Sequence, residues 1–443
     1  MMRTRFAPPL NAHLSVGNAR IALANFLLAR HHGGRITLRL DDLDRENARP
    51  ELIDAIVADL RWLGLEYDDV VRQSDSMDGY ADAIEYLKQS GRLYPCFESR
   101  EELRAKREQR RKRGEATTYD RAMLQLTSAQ RAAAESSGKR PYWRFRLSDN
   151  EAVWDDLVLG RQSVKLSAVS DPVVIGVDAT PLPALRAVID DLASGVTALV
   201  RNEGQLAQTA VGMDLMSTLS GEQWRLRLAH LPPLTDAGES RIARRVDART
   251  LRSVRRDGVE PRALASYIAR LGTPLPFEPL PLARLIETFE ITALPAQPLC
   301  FEAAEMLALN RRVLCETGFA AVSDRLPSGA TEAFWLAVRG DLDLLSEARG
   351  WWDVVAGTIV PPEIAERDLL MTALELLPPE PWHGGVWHDW TSALARVTGR
   401  RDDALAEPLR LALTGEERGP ELGDLLPLIG RARTANRLQV AAG

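Results

Sequence analysis

The sequence predicts an α/β protein with an open parallel sheet in its amino-terminal half and an all-helical carboxy-terminal part. Three observations lead there. Arg5-Phe6-Ala7-Pro8 reads as a strand running into a Pro-containing turn, and a helix then starts near Gly17 with Leu23, Phe26 and Leu27 on one apolar face. Ile36, Leu38 and Leu40 alternate with Thr37 and Arg39, the period-two signal of a second strand, which ends on two carboxylates, Asp41 and Asp42. Beyond the Arg-rich stretch near Arg241–Arg256 the apolar spacing is helical almost throughout. Strand, turn, helix and parallel strand in this order grip a nucleotide, because Gly17 lets backbone approach a ligand closely. Ligands of such sheets bind outside the carboxyl ends of the strands, so ATP is expected above the turn.

The remaining elements follow in order. Residues 50–64 give a clean helix: Pro50 suits its first turn, Ile53, Ile56, Val57, Leu60 and Leu63 share a face, and Gly64 ends it. From about Arg72 to Pro181 the pattern is mixed, with a charged helix over Arg100–Arg113 and a strand over Tyr142–Leu147. Helix and strand resume from Ala184 to about Leu231 and complete the sheet. Pro-rich breaks at Thr273–Pro281 and Leu377–Pro381 divide the helical remainder, and there is no repeat or low-complexity segment.

Composition sets limits. A chain of 443 residues has material for two or three domains. Its net charge of −6 means that any nucleic-acid contact must use local basic patches. The most basic is Lys106–Arg113, which suits phosphates along an RNA stem; interleaved Glu101, Glu102 and Glu108 equally suit an exposed solvated helix. Cys96, Cys300 and Cys315 are too few and too scattered for a disulfide framework or a four-thiolate zinc site, so a reducing cytoplasm and no structural zinc are expected. The basic amino terminus enters a strand at once, and no run approaches the ~20 apolar residues of a membrane span. A soluble, unprocessed protein without membrane association is expected.

The motifs carry a specific resemblance. Bacterial glutamate–tRNA ligases, within the class I aminoacyl-tRNA synthetases, open with R-F-A-P-S-P-T-G-x-L-H-[IV]-G-[GN]-x-R and continue to H-G-G-x-x-x-L-R-[IL]-[ED]-D-x-D. Here Arg5-Phe6-Ala7-Pro8, Leu14, Val16-Gly17-Asn18 and Arg20 match, then His32-Gly33-Gly34 and Leu38-Arg39-Leu40-Asp41-Asp42. Tyr142-Trp143-Arg144-Phe145-Arg146, Ser170-Asp171-Pro172, Val188-Ile189-Asp190-Asp191 and Ala229-His230-Leu231 follow in the same order. The resemblance implies a Rossmann-type class I synthetase catalytic domain at 1–71 and 182–240, interrupted by an acceptor-stem-binding region at 72–181. A stem-contact region at 241–305 and an all-α anticodon-binding region at 306–443 would follow. It also implies glutamate, ATP with Mg2+ and tRNA as partners, and a monomer. Zinc, held in some members by several Cys and a Tyr in the inserted region, is not expected, because Cys96 has no Cys nearby.

The resemblance also assigns roles. Ser15, Gly17 and Asn18 would form the first nucleotide loop, with Ser15 standing where the family has His; His13 either points into the same cleft or faces solvent. Arg241 and Arg244, with Arg245, would form the second loop in place of lysines, or merely touch RNA backbone. Asp190 and Asp191 would line the pocket for ATP and the terminal adenosine, or sit on a helix surface. Arg5, Ala7, Asp41 and Arg201 would bind glutamate, whose carboxylates need arginine and whose ammonium needs an acid; a salt bridge is the structural alternative for each arginine. Asp42 either joins them or caps the following turn. Pro9, Pro183, Ala187 and Gln205 replace the family's hydrogen-bonding pocket residues. Three functions fit these letters: a glutamate–tRNA ligase, a catalytically impaired tRNA-binding or regulatory paralogue, and a ligase of shifted specificity. The absent glycine fingerprint disfavours a dehydrogenase.

Overall fold

The computed structural model describes residues 1–44, 48–221, 225–236 and 250–443. The chain forms two compact units, Met1–Arg252 with Ala265–Glu302, and Ser253–Leu264 with Ala303–Gly443.

The first unit is built on a parallel sheet. Strands β1 (Arg3–Phe6), β2 (Arg35–Leu40) and β3 (Asp69–Arg72) pair in that order, with Arg3 opposite Arg35 and Thr37 opposite Asp69. Helix α1 (Val16–His31) joins β1 to β2 and is buried along most of its length, because the sheet covers one side and a later helix, Leu282–Thr288, the other. The turn after α1 needs glycine: Gly33 has φ +60°, and a Cβ on Gly34 would lie 2.2 Å from the Met2 carbonyl oxygen. Helix α2 (Pro50–Trp62) buries Leu52, Ile53, Ile56 and Leu60 and returns the chain to β3, with Gly64 at φ +83° beyond its end.

An inserted stretch follows. Helix α3 (Met77–Gln89) leads to β4 (Leu93–Cys96), and α4 (Arg100–Lys112) carries the basic run with no buried residue behind a Ser99–Glu102 capping box. Strand β5 (Tyr142–Phe145) lies antiparallel between β4 and β8 (Val173–Ile175), while β6 (Glu151–Asp156) and β7 (Gly160–Lys165) form a hairpin. Helix α5 (Pro183–Ala193), β9 (Ala198–Asn202), α6 (Leu206–Ser220) and β10 (Arg227–Leu231) follow, and β9 and β10 join β6 and β7 in a second sheet, order β7-β6-β10-β9, whose edge strand β9 runs beside β1. Strand β10 pairs with β9 on one side and with the end of β6 on the other.

The seam between β1 and β9 sets the position of the site. Thr197 donates its amide to the Arg3 carbonyl at 2.9 Å, and beyond that point the amide side chain of buried Asn25, on α1, serves β9. It accepts from the Val200 N–H at 3.1 Å and donates to the Val200 carbonyl at 2.9 Å. The strand order β3-β2-β1-β9-β10 therefore reverses its winding at β1/β9, where doubly wound sheets open a ligand crevice. A short parallel pair, β11 (Leu234–Asp236) with β12 (Leu299–Phe301), closes the unit.

The second unit is helical, as the apolar spacing predicts. Its helices from Ala303–Glu316 to Arg431–Ala442 bury two clusters, one around Trp335 and Phe334 and the other around Trp390 and Leu370. Each indole N–H finds a backbone acceptor, Trp335 on Thr317 at 2.8 Å and Trp390 on Ala373 at 3.0 Å, which removes the cost of burying it. No helix among the described residues is long and apolar enough to cross a membrane.

Candidate active site

The carboxyl ends of β1, β2 and β9 open into a cavity of about 870 Å3 in the first unit. Its polar end is lined by Arg5, Asn18, Arg39, Asp41, Asp191 and Arg201; Val169, Val188, Val211, Met213 and Met216 line the apolar remainder. Ligand pockets have roughly 300–1,000 Å3 and this mixture of an apolar wall with a few convergent polar groups. Ala7, Pro9, Pro183, Ala187 and Gln205 also face it.

A set of charges forms its floor. Asp191, from α5, takes two hydrogen bonds from Arg5, at 2.8 and 3.0 Å, and one from Arg39 at 3.0 Å. Arg39 also holds Asp41, Nε to Oδ1 at 2.8 Å, and donates to the Ala187 carbonyl at 3.2 Å. Burial would raise the Asp191 carboxyl, but the guanidinium charges of Arg5 and Arg39 outweigh it and hold it below the usual carboxylate range. Asp190, next in sequence, makes its hydrogen bonds behind the floor: it accepts from Gln73 and from the Tyr80 hydroxyl, both at 2.7 Å, with its Oδ2 3.7 Å from Arg39 Nε. Its carboxyl is shifted upward by burial, which those bonds only partly oppose.

Arg201 differs from the other two arginines. It stands near the end of β9 and donates to the Thr209 hydroxyl at 2.8 Å, and among the described residues no carboxylate lies within ion-pair distance of it. Burial and then the charge of Arg5 lower its pKa to about 10, still charged at neutral pH. It is a cation without a direct ion pair among the described residues, offset only through space by Asp191, and it lines the cavity wall where an anionic ligand can meet it. Asp41, paired on one side with Arg39, keeps a side chain 30% exposed and supplies the acidic counterpart.

At the amino end of α1, Ser15 and Asn18 form a capping box. The Ser15 hydroxyl accepts from the Asn18 amide at 3.2 Å, and the Asn18 Oδ1 accepts from the Ser15 amide at 3.1 Å. Asn18 faces the cavity, Gly17 lies in the first helical turn, and Ser15 bridges to Thr250 instead of joining the lining. His13 is not part of that lining either. Asp42 accepts from the amide and hydroxyl of Ser74, at 2.9 and 2.8 Å, so it caps the turn after β3. Arg241, Arg244 and Arg245 lie outside the described residues. Among the described residues no group of three or more His, Cys, Asp or Glu is placed to hold a metal ion.

Residues 1–305 match the class I tRNA synthetases (E and Q), catalytic domain. The chain belongs to that family of ligases. Residues 363–442 match an anticodon binding domain. Over its full length the chain is 54% identical to glutamate–tRNA ligase 2 of Granulibacter bethesdensis, covering 99% of that protein. It is 53% identical to glutamate–tRNA ligase 2 of Acidiphilium cryptum, covering all of it. The fold superposes on a crystal structure of glutamate-tRNA synthetase from Elizabethkingia anophelis with a TM-score of 0.85 at 21% identity, covering 100% of this chain and 99% of that one.

Class I synthetases use ATP as a substrate. For this class I synthetase the sequence reading missed Arg39, Thr209 and His230. Arg39 reads as the solvent face of an alternating strand, yet both faces of β2 are covered and Arg39 is 4% exposed. The signal that would have found it is the pair of carboxylates it must meet, part-exposed Asp41 and buried Asp191. Thr209 carried no signal beyond its place in a helix, and His230 stood in the matching string Ala229-His230-Leu231 with no role attached to it.

Proposed function

We propose that this class I synthetase is a glutamate–tRNA ligase. The glutamate α-carboxylate attacks the α-phosphorus of ATP, pyrophosphate leaves, and the glutamyl group then passes from the adenylate to the terminal ribose of tRNA. One observation carries the choice of amino acid. Arg201 is a charged guanidinium without a carboxylate of its own, so a ligand carboxylate gains a charge-assisted hydrogen bond that the amide of glutamine does not match. The names of the full-length relatives support the same choice, and their similarity over the whole chain supports a working enzyme over a decayed paralogue.

In this reading Asp41 receives the ammonium, Arg201 the side-chain carboxylate, and Arg5 with Asp191 and Arg39 sets the floor against which the substrate packs. Ala7 supplies backbone beside the substrate. The amino end of α1, at Gly17 and Asn18, lies at the phosphates, where the helix dipole favours negative charge. Arg241 and Arg244 have the role of stabilising the leaving pyrophosphate, where their charge meets the negative charge that builds. Mg2+ arrives on the phosphates of ATP, as that ion usually keeps few protein ligands. Asp191 acts on ATP through the arginines it orients, and Asp190 supports the wall from behind. Residues 72–181 hold the acceptor stem, with Lys106–Arg113 on its phosphates; 241–305 contact the stem and 306–443 the anticodon. The protein works as a cytoplasmic monomer.

Pyrophosphate exchange tests the proposal. Exchange is expected with glutamate, not glutamine, and only when tRNA is present. Retained tRNA binding without exchange would move the chain to the paralogue class, and exchange with another amino acid to a ligase of shifted specificity.

A further inference from the structure

Behind Arg201 lies a buried chain of polar groups that ends on a carboxylate. Asp156, at the end of β6, is 5% exposed, Thr209 is 3% exposed, and His230 on β10 is fully buried. Asp156 accepts from the amides of His230, Val158 and Leu159 through Oδ1, at 3.0, 3.1 and 3.1 Å. Its Oδ2 meets His230 Nδ1 at 2.5 Å and accepts from Trp154 Nε1 at 3.3 Å. Burial would raise this carboxyl, but those bonds outweigh it and keep it ionised. Every contact to it is therefore a donor, which puts the proton of His230 on Nδ1.

The far side of the ring is then decided by counting protons. His230 Nε2 lies 2.8 Å from the Thr209 hydroxyl, and that hydroxyl also receives Arg201 Nη1 at 2.8 Å. Of the two partners of the Thr209 hydroxyl among the described residues, the guanidinium can only donate, so the hydroxyl proton goes to the lone pair of Nε2. All four groups are satisfied in one direction only: Arg201 to Thr209, Thr209 to His230, His230 to Asp156. Such chains polarise one another, so the distant carboxylate strengthens the hydroxyl as an acceptor.

We infer that Asp156, His230 and Thr209 are positioning residues that fix the Arg201 guanidinium for the carboxylate of the amino-acid substrate. The arrangement has a specific advantage over a direct ion pair. A carboxylate against Arg201 would orient it and neutralise it together, as Asp191 does for Arg5. Placing the carboxylate three hydrogen bonds away, behind a ring and a hydroxyl, holds the guanidinium in one rotamer and leaves its charge for the ligand.

The inference rests on the reading of Arg201 as the substrate's carboxylate partner, and the test separates the two. Thr209→Val keeps the side-chain shape and removes the hydroxyl; Thr209→Ser keeps the hydroxyl. Steady-state aminoacylation is expected to show glutamate KM raised roughly 10-fold in Thr209→Val, from the loss of one charge-assisted hydrogen bond, with ATP KM unchanged. Thr209→Ser should restore the wild-type glutamate KM, and His230→Phe should repeat the Thr209→Val effect. Arg201→Gln should raise glutamate KM at least as much, and adding Thr209→Val to it should cost nothing further, because the two act as one unit. If Arg201→Gln leaves glutamate KM unchanged, the assignment of Arg201 fails. If Arg201→Gln raises it and Thr209→Val does not, the positioning chain is overturned while the assignment stands. Equal shifts of glutamate and ATP KM in both Thr209 variants would also overturn it, since a general loosening of α6 would explain them. Should Thr209→Val fail to fold, Thr209→Ala is read in the same way.

Discussion

Replacing Asp191 by Asn probes the charge floor directly. The substitution preserves volume and removes one negative charge that two guanidinium groups share. The geometry indicates which contacts survive. Oδ1 accepts from Arg5 Nε at 2.8 Å and from Arg39 Nη1 at 3.0 Å, and the amide oxygen of Asn can take both as weaker, neutral-acceptor bonds. Oδ2 accepts from Arg5 Nη2 at 3.0 Å, and there the Asn NH2 would face another donor. Removing one partner of a buried ion pair costs about 3–5 kcal/mol, and the two surviving bonds place this case near the lower end, about 3 kcal/mol. At roughly 2–4 °C per kcal/mol for a unit of this size, the first thermal transition should fall by about 6–12 °C. The pH dependence follows from the depressed carboxyl. A group whose folded pKa lies below its unfolded value of about 3.9 contributes stability that is complete above about pH 5 and is lost as pH falls through the folded value. Asp191→Asn should therefore flatten the acid limb of Tm against pH and lower the neutral plateau. Differential scanning calorimetry from pH 3 to pH 8, within the usual working range of such experiments, reads both. A plateau within about 1 °C of wild type, or an unchanged acid limb, would show that Arg5 and Arg39 are satisfied elsewhere and that the floor is not organised by Asp191.

Two more substitutions test other parts of the scheme. Asn25→Ala should leave the Val200 N–H and carbonyl without their bridge and lower unfolding stability by about 2–4 kcal/mol, read from the denaturant midpoint of the first unit; a change under about 0.5 kcal/mol would remove Asn25 as the support of the β1/β9 seam. Asp42→Ala should leave glutamate and ATP KM within about twofold of wild type, since the carboxylate holds Ser74 and not a ligand; a rise of about 10-fold in either would return Asp42 to the site.

The legible part of the fold was the part in which side-chain pattern and burial agree. Residues 50–64 show one apolar stripe at helical spacing, and the helix Pro50–Trp62 buries that stripe. The charged run at 100–113 has no apolar face, and the helix over Arg100–Lys112 buries nothing. Strand β2 shows where pattern fails. Its alternation of Ile36, Leu38 and Leu40 with Thr37 and Arg39 describes a sheet with one wet face, whereas a doubly wound sheet is covered on both. Thr37 and Arg39 are buried polar residues, tolerated because Arg39 meets carboxylates from a segment about 150 positions away. Nothing within β2 announces that partner.

The same limit explains why three arginines at strand ends look alike in the sequence and differ in the fold. Arg5, Arg39 and Arg201 all precede turns at carboxyl ends of parallel strands, where ligand contacts are expected. Distinguishing them requires knowing where the carboxylates of α5 fall. Asp190 and Asp191 are adjacent, so on a helix they point about 100° apart; one enters the cavity floor and the other turns to Gln73 and Tyr80. That single helical step spends Asp191 on Arg5 and Arg39 and gives Arg201 nothing but a hydroxyl. Which arginine keeps no direct ion pair is thus set by the rotational phase of α5 relative to the sheet, a property of packing between elements far apart in the chain.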